Sequence, residues 1–212
     1  MEKLLNTEVE NQLKEVFDGM TSEITMVLFT SKEACETCEP TQQLLTEVAE
    51  LSSKINVEVK DITDADAAKY GIERVPSFVI LNDKKEDLGV KFNGIPAGHE
   101  INSFVSAIME MGGASSEVPA ELLERIAKIN KPVNIKVFVT LSCPHCPGAV
   151  QKAHKLAMLN PNVTGEMVEA QTFFELSQKF NVSGVPKIII NDSLELVGNQ
   201  PIEAFLDQIE RL

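Results

Sequence analysis

The chain has 212 residues, 43 % of them apolar, and sets 19 basic against 32 acidic side chains for a net charge of −13. That balance excludes phosphate backbones and anionic membrane surfaces as partners, and the length suits one domain or two of about 100 residues each. The opening, MEKLLNTEVENQLKEVF, carries acids where a signal or transit peptide needs an apolar or acid-free run, and the best apolar stretches, SFVIL and KIII, fall far short of a transmembrane helix; a cytoplasmic protein is expected.

In chain order, the strand-forming run MVLFT leads into SKEACETCEP, which holds Cys35 and Cys38. A helical pattern over 39–52 follows, then a strand over 55–61, a short helix over 64–70, Val75-Pro76, strands over 77–82 and 88–93, and a helix over 99–111. GGASSEVP at 112–119 punctuates the chain, and the amphipathic AELLERIAKI comes next. A second strand-forming run, VFVT, then leads into Cys143, Pro144, His145 and Cys146. After it come a helix over 147–158, a strand over 162–168, a helix over 171–180, Val185-Pro186, strands over 187–191 and 194–198, and a helix over 201–211.

The two series are one pattern written twice. Cys143 follows Cys35 at nearly the same interval as Pro186 follows Pro76, which favours duplication over coincidence. The chain therefore divides into units 1–114 and 115–212. Strands alternating with helices, with a strand pair near each end, predict an α/β fold in which each unit has a mixed central sheet flanked by helices.

The four cysteines are all the chain has, and in a cytosolic protein such pairs are catalytic or metal-binding more often than structural. Each pair is expected where a strand hands over to a helix, where free N–H groups and the positive end of the helix dipole favour a thiolate. Residues three apart in a first helical turn bring both sulfurs within bonding reach, and Pro144 suits the first helical position. One Cys-x-x-Cys could be half of a zinc site, but two pairs separated by a whole unit do not have a zinc ribbon's spacing, and no metal is expected. A permanent staple across three residues would remove little chain entropy. His145 between the cysteines is a candidate for tuning them; His99 and His154, distant in sequence from both pairs, are expected at the surface or at helix ends. Gly112-Gly113 is a linker, because no strand-borne G-x-G-x-x-G accompanies it.

Strand, Cys-x-x-Cys, helix and a later Val-Pro before a strand resemble the thioredoxin and glutaredoxin fold. Two such units resemble the protein disulfide oxidoreductases, or glutaredoxin-like proteins, of archaea and some bacteria, above all in VFVTLSCPHCPGAVQKAHKLA, GEMVEAQ, GVPKIII and FNGIPAGHEI. The resemblance implies two tandem thioredoxin-like units and dithiol–disulfide exchange on protein substrates, in the direction of reduction, oxidation or isomerisation. It implies Cys143 and Cys35 as attacking thiols, Cys146 and Cys38 as resolving thiols, and Pro186 and Pro76 as cis-prolines, with Val185 and Val75 offering backbone to the substrate. It implies no bound cofactor beyond the redox-active disulfides, and electrons supplied by an external NADPH-dependent flavoprotein thioredoxin reductase, with a peroxiredoxin as a further partner. Two departures stand out. Pro144-His145 resembles the periplasmic oxidase type where a tyrosine is familiar in the family, and Val137 and Phe29 occupy the strand positions at which thioredoxin carries a buried acid.

Glu33, Glu36 and Glu39 surround Cys35 and oppose a thiolate, whereas Cys143 has no acid close in sequence, so the second site is expected to be the more reactive. Two other readings remain open. One is a dedicated electron carrier between a flavoprotein reductase and a peroxiredoxin, resembling the two-unit N-terminal domain of such reductases; that domain typically keeps cysteines in its second unit alone, so the intact Cys35/Cys38 pair argues against it. The other is a metal-binding protein.

Overall fold

A computed structural model describes residues 2–114 and 116–212. In chain order the elements are α1 (Thr7–Phe17), β1 (Ile24–Thr30), α2 (Cys38–Ala49), β2 (Ile55–Asp61), α3 (Ala65–Lys69), β3 (Ser77–Leu81), β4 (Asp87–Asn93), a 3-10 turn (Gly98–Glu100), α4 (Ile101–Met111), α5 (Ala120–Ala127), β5 (Val133–Val139), α6 (Cys146–Leu159), β6 (Val163–Glu169), α7 (Phe174–Lys179), β7 (Lys187–Ile190), β8 (Leu194–Val197) and α8 (Ile202–Ile209). They form two compact units. One comprises the chain up to Asp87 with Asn93–Ile95 and the stretch from Ile108 to residue 114; the other comprises Leu88–Phe92, Pro96–Ala107 and the chain from residue 116 onward. Ser115, beside the border between 114 and 115 expected from the repeat, lies outside the described residues.

In the first unit the strands run in the order β2, β1, β3. β1 is parallel to β2, with Thr30 opposite Asp61, and antiparallel to β3, with Phe29 opposite Ser77. ITMVLFT is buried along all but its last residue, as a central strand covered on both faces must be. One face carries Val27, Phe29 and Val79 against Ala67, Tyr70 and Ile72, with the Phe29 and Tyr70 rings edge to face at 6.3 Å. α2 buries Leu44, Leu45 and Val48. α1, absent from the elements read in the sequence, starts at Asn6, whose side chain accepts from the Val9 N–H, and buries Leu13 and Phe17.

In the second unit the order is β4, β6, β5, β7, β8. β5 is parallel to β6, with Val139 opposite Glu169, and antiparallel to β7, with Phe138 opposite Lys187. Phe138, Val168 and Ile189 form a core with Phe173, Leu176, Phe180 and Val182, and α6 packs its small buried residues, Ala149, Val150, Ala153 and Ala157, over β5 and β6. Truncating a ring such as that of Phe138 would cost about 3–5 kcal/mol.

This topology fixes the site edge. Because β5 and β6 are parallel their ends coincide, and because β7 is antiparallel its start lies at the same end. The Ala170 N–H reaches the Val139 carbonyl at 2.9 Å. The connection holding Cys143, the turn after Glu169 and the segment ending at Pro186 therefore share one rim. The same register in the first unit gathers Cys35, the turn after Asp61 and Pro76, with the Ile62 N–H on the Thr30 carbonyl at 2.9 Å.

Candidate active sites

Cys35–Cys38 and Cys143–Cys146 are both disulfide-bonded, with Cα atoms 5.4 Å and 5.5 Å apart. Each helix begins at the second cysteine of its pair, so the first cysteine stands in the turn before the helix and not in its first turn. Pro144 accordingly lies outside the helix; the proline in the first turn is Pro147, where a missing N–H costs nothing. The turn is closed by the Cys143 N–H on the Thr140 carbonyl at 3.1 Å. Cys143 is 8 % exposed against 0 % for Cys146, so an incoming sulfur meets Cys143 first. Pro144 and His145 are exposed.

Around the first pair, Glu33, Glu36 and Glu39 are all exposed, Cys35 is half-buried and Cys38 buried. Ala34, directly before Cys35, takes φ of +46°, a left-handed conformation that costs an L-residue about 1–2 kcal/mol. Thr37 has its hydroxyl buried without a hydrogen-bond partner, while its carbonyl accepts from the Thr41 hydroxyl at 2.6 Å.

The bonds Val75-Pro76 and Val185-Pro186 are both cis. The Pro76 carbonyl accepts from the Gly94 N–H at 2.9 Å and the Pro186 carbonyl from the Gly198 N–H at 2.8 Å, so in each unit a loop beginning at a glycine is tied back to the proline.

A buried acid lies on another segment that reaches the stretch before the second pair. His99 donates its N–H to the Leu141 carbonyl at 2.9 Å, and Gly98, at φ +57°, lies so close to Leu141 that any Cβ there would clash with its carbonyl. The 3-10 turn carrying both packs against α6. Its last residue, Glu100, is 0 % exposed. The Ser103 hydroxyl is within reach of one carboxyl oxygen, and Oε1 has no partner. Burial raises the Glu100 pKa from 4.5 to about 7, against the Ser103 hydrogen bond, which lowers it. Sequence reasoning missed this group, because an acid opening a helix ordinarily faces solvent.

His154 corrects a second expectation. It is 2 % exposed, inside the second unit and not at the surface. Its Nε2 lies 3.1 Å from the Lys91 carbonyl, which assigns the proton to Nε2, and its ring packs 4.8 Å from that of Phe92. Burial holds its pKa down at about 4, with the Lys91 hydrogen bond and Glu166 opposing. His99 is exposed through its side chain, yet its backbone touches the second site. Among the described residues no three His, Cys, Asp or Glu side chains gather as metal ligands, and no helix is long and apolar enough to cross a membrane.

Two units of this topology, each with a Cys-x-x-Cys disulfide at the turn from strand to helix and a cis-proline on the same rim, define a pair of thioredoxin folds. A family model of the thioredoxin domain matches residues 23–106 and 133–211, and the chain belongs to that family. The alkyl hydroperoxide reductase component AhpF of Staphylococcus aureus is 28 % identical over 206 residues, covering 97 % of this chain and 38 % of that protein; the chain thus spans well under half the length of the curated relatives it matches. Among solved structures, AhpF of Enterococcus faecalis superposes with a TM-score of 0.91 at 32 % identity, covering 98 % of this chain and 100 % of the other. A protein disulfide oxidoreductase from Aeropyrum pernix superposes with a TM-score of 0.89 at 30 % identity, covering 98 % and 94 %.

Proposed function

We propose that the chain catalyses dithiol–disulfide exchange on protein substrates at both Cys-x-x-Cys sites, by reduction, oxidation or isomerisation according to the partner's potential, with the second site the more reactive. The observation that carries this reading is the pair of disulfides, each with its second cysteine opening a helix and its first cysteine on a rim shared with a Val-Pro. In the reducing direction the Cys143 thiolate attacks a substrate disulfide, forming a Cys143–substrate bond and releasing one substrate thiolate. Cys146 then attacks the Cys143 sulfur, the intramolecular disulfide forms, and the second substrate thiolate leaves. Two electrons pass to the substrate, and a proton ends on each released sulfur. Cys35 and Cys38 repeat these roles at the first site.

Glu100 supports the resolving step. A carboxyl with a pKa of about 7, in a turn packed on the helix that Cys146 opens, suits a group that takes the Cys146 proton. Val185 and Val75 lead into the strands at the rim and in this reading receive an extended substrate segment by backbone pairing; Pro144 and His145 line the approach to Cys143. No cofactor beyond the cysteines is needed, and electrons come from a separate NADPH-dependent flavoprotein reductase.

The test is insulin reduction by the Cys35→Ser/Cys38→Ser and Cys143→Ser/Cys146→Ser proteins. The first retains most turnover and the second retains little; inactivity of the intact protein towards insulin and other protein disulfides would overturn the reading. A second reading, favoured by the likeness to AhpF, is electron carriage to one peroxide-reducing partner. The first-site disulfide favours the broader activity, and turnover confined to one partner among several unrelated disulfide proteins would favour the carrier.

A further inference from the structure

The loop after β8 is held on two sides. The Gly198 N–H ties it to the Pro186 carbonyl at 2.8 Å, and the side chain of the next residue, Asn199, lies against the first turn of α6. Gly148 permits this: a Cβ at that position would collide with Asn199 Nδ2. One turn further along the same face of α6, Lys152 donates from Nζ to Asn199 Oδ1 at 2.5 Å. An ammonium group donates and cannot accept, so this contact fixes which way the amide faces. The oxygen is committed to Lys152 and the NH2 is turned towards the helix start at Gly148, two residues beyond Cys146. Asn199 is exposed, and among the described residues its Nδ2 makes no hydrogen bond.

We propose that Asn199, oriented by Lys152, is a specificity-determining residue of the second site: its Nδ2 donates a hydrogen bond to a main-chain carbonyl of the polypeptide that presents the target disulfide. An extended segment lying along Val185 passes the loop anchored to the Pro186 carbonyl, and a backbone carbonyl is the acceptor every such segment carries. The first unit has the same anchor without the amide. The Gly94 N–H binds the Pro76 carbonyl, and the next residue is Ile95, half-buried and without a polar group; two residues after Cys38 stands Pro40 where the second unit has Gly148. The two sites therefore offer substrates different surfaces, a donor at one and an aliphatic side chain at the other.

This inference rests on the exchange reading above, and the experiment separates the two. In the Cys35→Ser/Cys38→Ser background, kcat/KM is measured for insulin and for dithionitrobenzoate disulfide, a small reagent with no peptide backbone, and the ratio of the two is the readout. Asn199→Ala lowers the ratio about tenfold, the order of one lost hydrogen bond. Asn199→Asp lowers it at least as far, since a carboxylate cannot donate. Lys152→Met frees the amide to rotate and lowers the ratio less, and adds nothing in the Asn199→Ala protein. An unchanged ratio in Asn199→Ala overturns the inference, as does an Asn199→Asp protein that keeps the parent ratio, or an equal loss with both reagents, which would mark Asn199 as a structural support. A parent protein inert towards both disulfides would overturn the exchange reading itself, and the inference with it.

Discussion

The backbone N–H of His99 donates to the carbonyl of Leu141 at 2.9 Å, two residues ahead of Cys143. This bond ties a distant segment to the stretch just before the second cysteine pair, and the next residue along it is the buried Glu100.

Glu100 makes the protein sensitive to alkali. Its pKa is raised from 4.5 to about 7 by burial, so the folded state holds the proton more tightly than the unfolded chain does. The stability this confers is complete below pH 4.5 and is lost as pH rises through 7. The shift corresponds to about 3 kcal/mol. Glu100→Gln, which cannot ionise, is expected to gain up to that amount over the parent at pH 8 and almost nothing at pH 4, read from urea midpoints at both values. The same substitution should slow resolution of the Cys143 mixed disulfide by roughly 10²-fold. An equal stability difference at both pH values would remove Glu100 from the account.

Much of this fold was legible because its signals are local. The repeat, the two cysteine pairs and the two Val-Pro landmarks lie in short segments whose residue types bear directly on strand, turn and thiolate chemistry. Residues 137–139 and 188–190 are short continuous apolar runs, as strands in a buried central sheet require. What escaped depends on packing between segments far apart in the chain. Glu100 opens a helix, where an acid is commonplace and exposed; nothing local distinguishes a buried one. His154 did leave a trace, for it stands four residues after Val150 and next to Ala153 on the buried face of α6, and reading that period would have placed it inside. The orientation of Asn199 depends on a lysine 47 residues away, and no sequence pattern carries it.

Cys143 is the more exposed cysteine of the second pair, and Cys146 is fully enclosed. Cys146→Ser should therefore accumulate a mixed disulfide through Cys143, visible as a mass shift that dithiothreitol reverses, with steady-state turnover at the second site down at least 10²-fold. Cys143→Ser should trap nothing. Trapping through Cys146 in the Cys143→Ser protein would reverse the assignment of roles.

His154 gives the opposite pH response to Glu100. With its pKa lowered to about 4 by burial, the folded state refuses a proton that the unfolded chain accepts, so stability present above pH 6.5 falls away down to pH 4, by about 3 kcal/mol. Phe is close in shape but cannot donate to the Lys91 carbonyl as His154 does, so loss of that one hydrogen bond should make His154→Phe about 1 kcal/mol less stable than the parent at pH 8. It should also lose stability less steeply between pH 6.5 and 4, so that the two curves converge or cross on acidification. Parallel curves would show that His154 does not govern acid sensitivity.

The two disulfides should differ in potential, and the difference should depend on salt. Glu33, Glu36 and Glu39 stand around Cys35, exposed, and their charges oppose the thiolate that reduction produces. Cys143 has Pro144 and His145 beside it and no acid close in sequence. Reduction is thus easier at the second site, whose disulfide should be the more oxidising by about tenfold in the equilibrium constant, or about 30 mV. Because the glutamates face water, much of their effect is screened beyond ~10 Å at 0.1 M salt and nearly all of it beyond ~3 Å at 1 M. Equilibration of each double-serine protein with glutathione, in dilute buffer and again in 1 M salt, measures both quantities. The gap should shrink severalfold in salt, and Glu33→Gln, Glu36→Gln and Glu39→Gln together should close most of it in dilute buffer by raising the first-site potential alone. A gap that ignores both salt and the three substitutions would assign the difference to the turn itself, where Ala34 precedes Cys35 in a left-handed conformation.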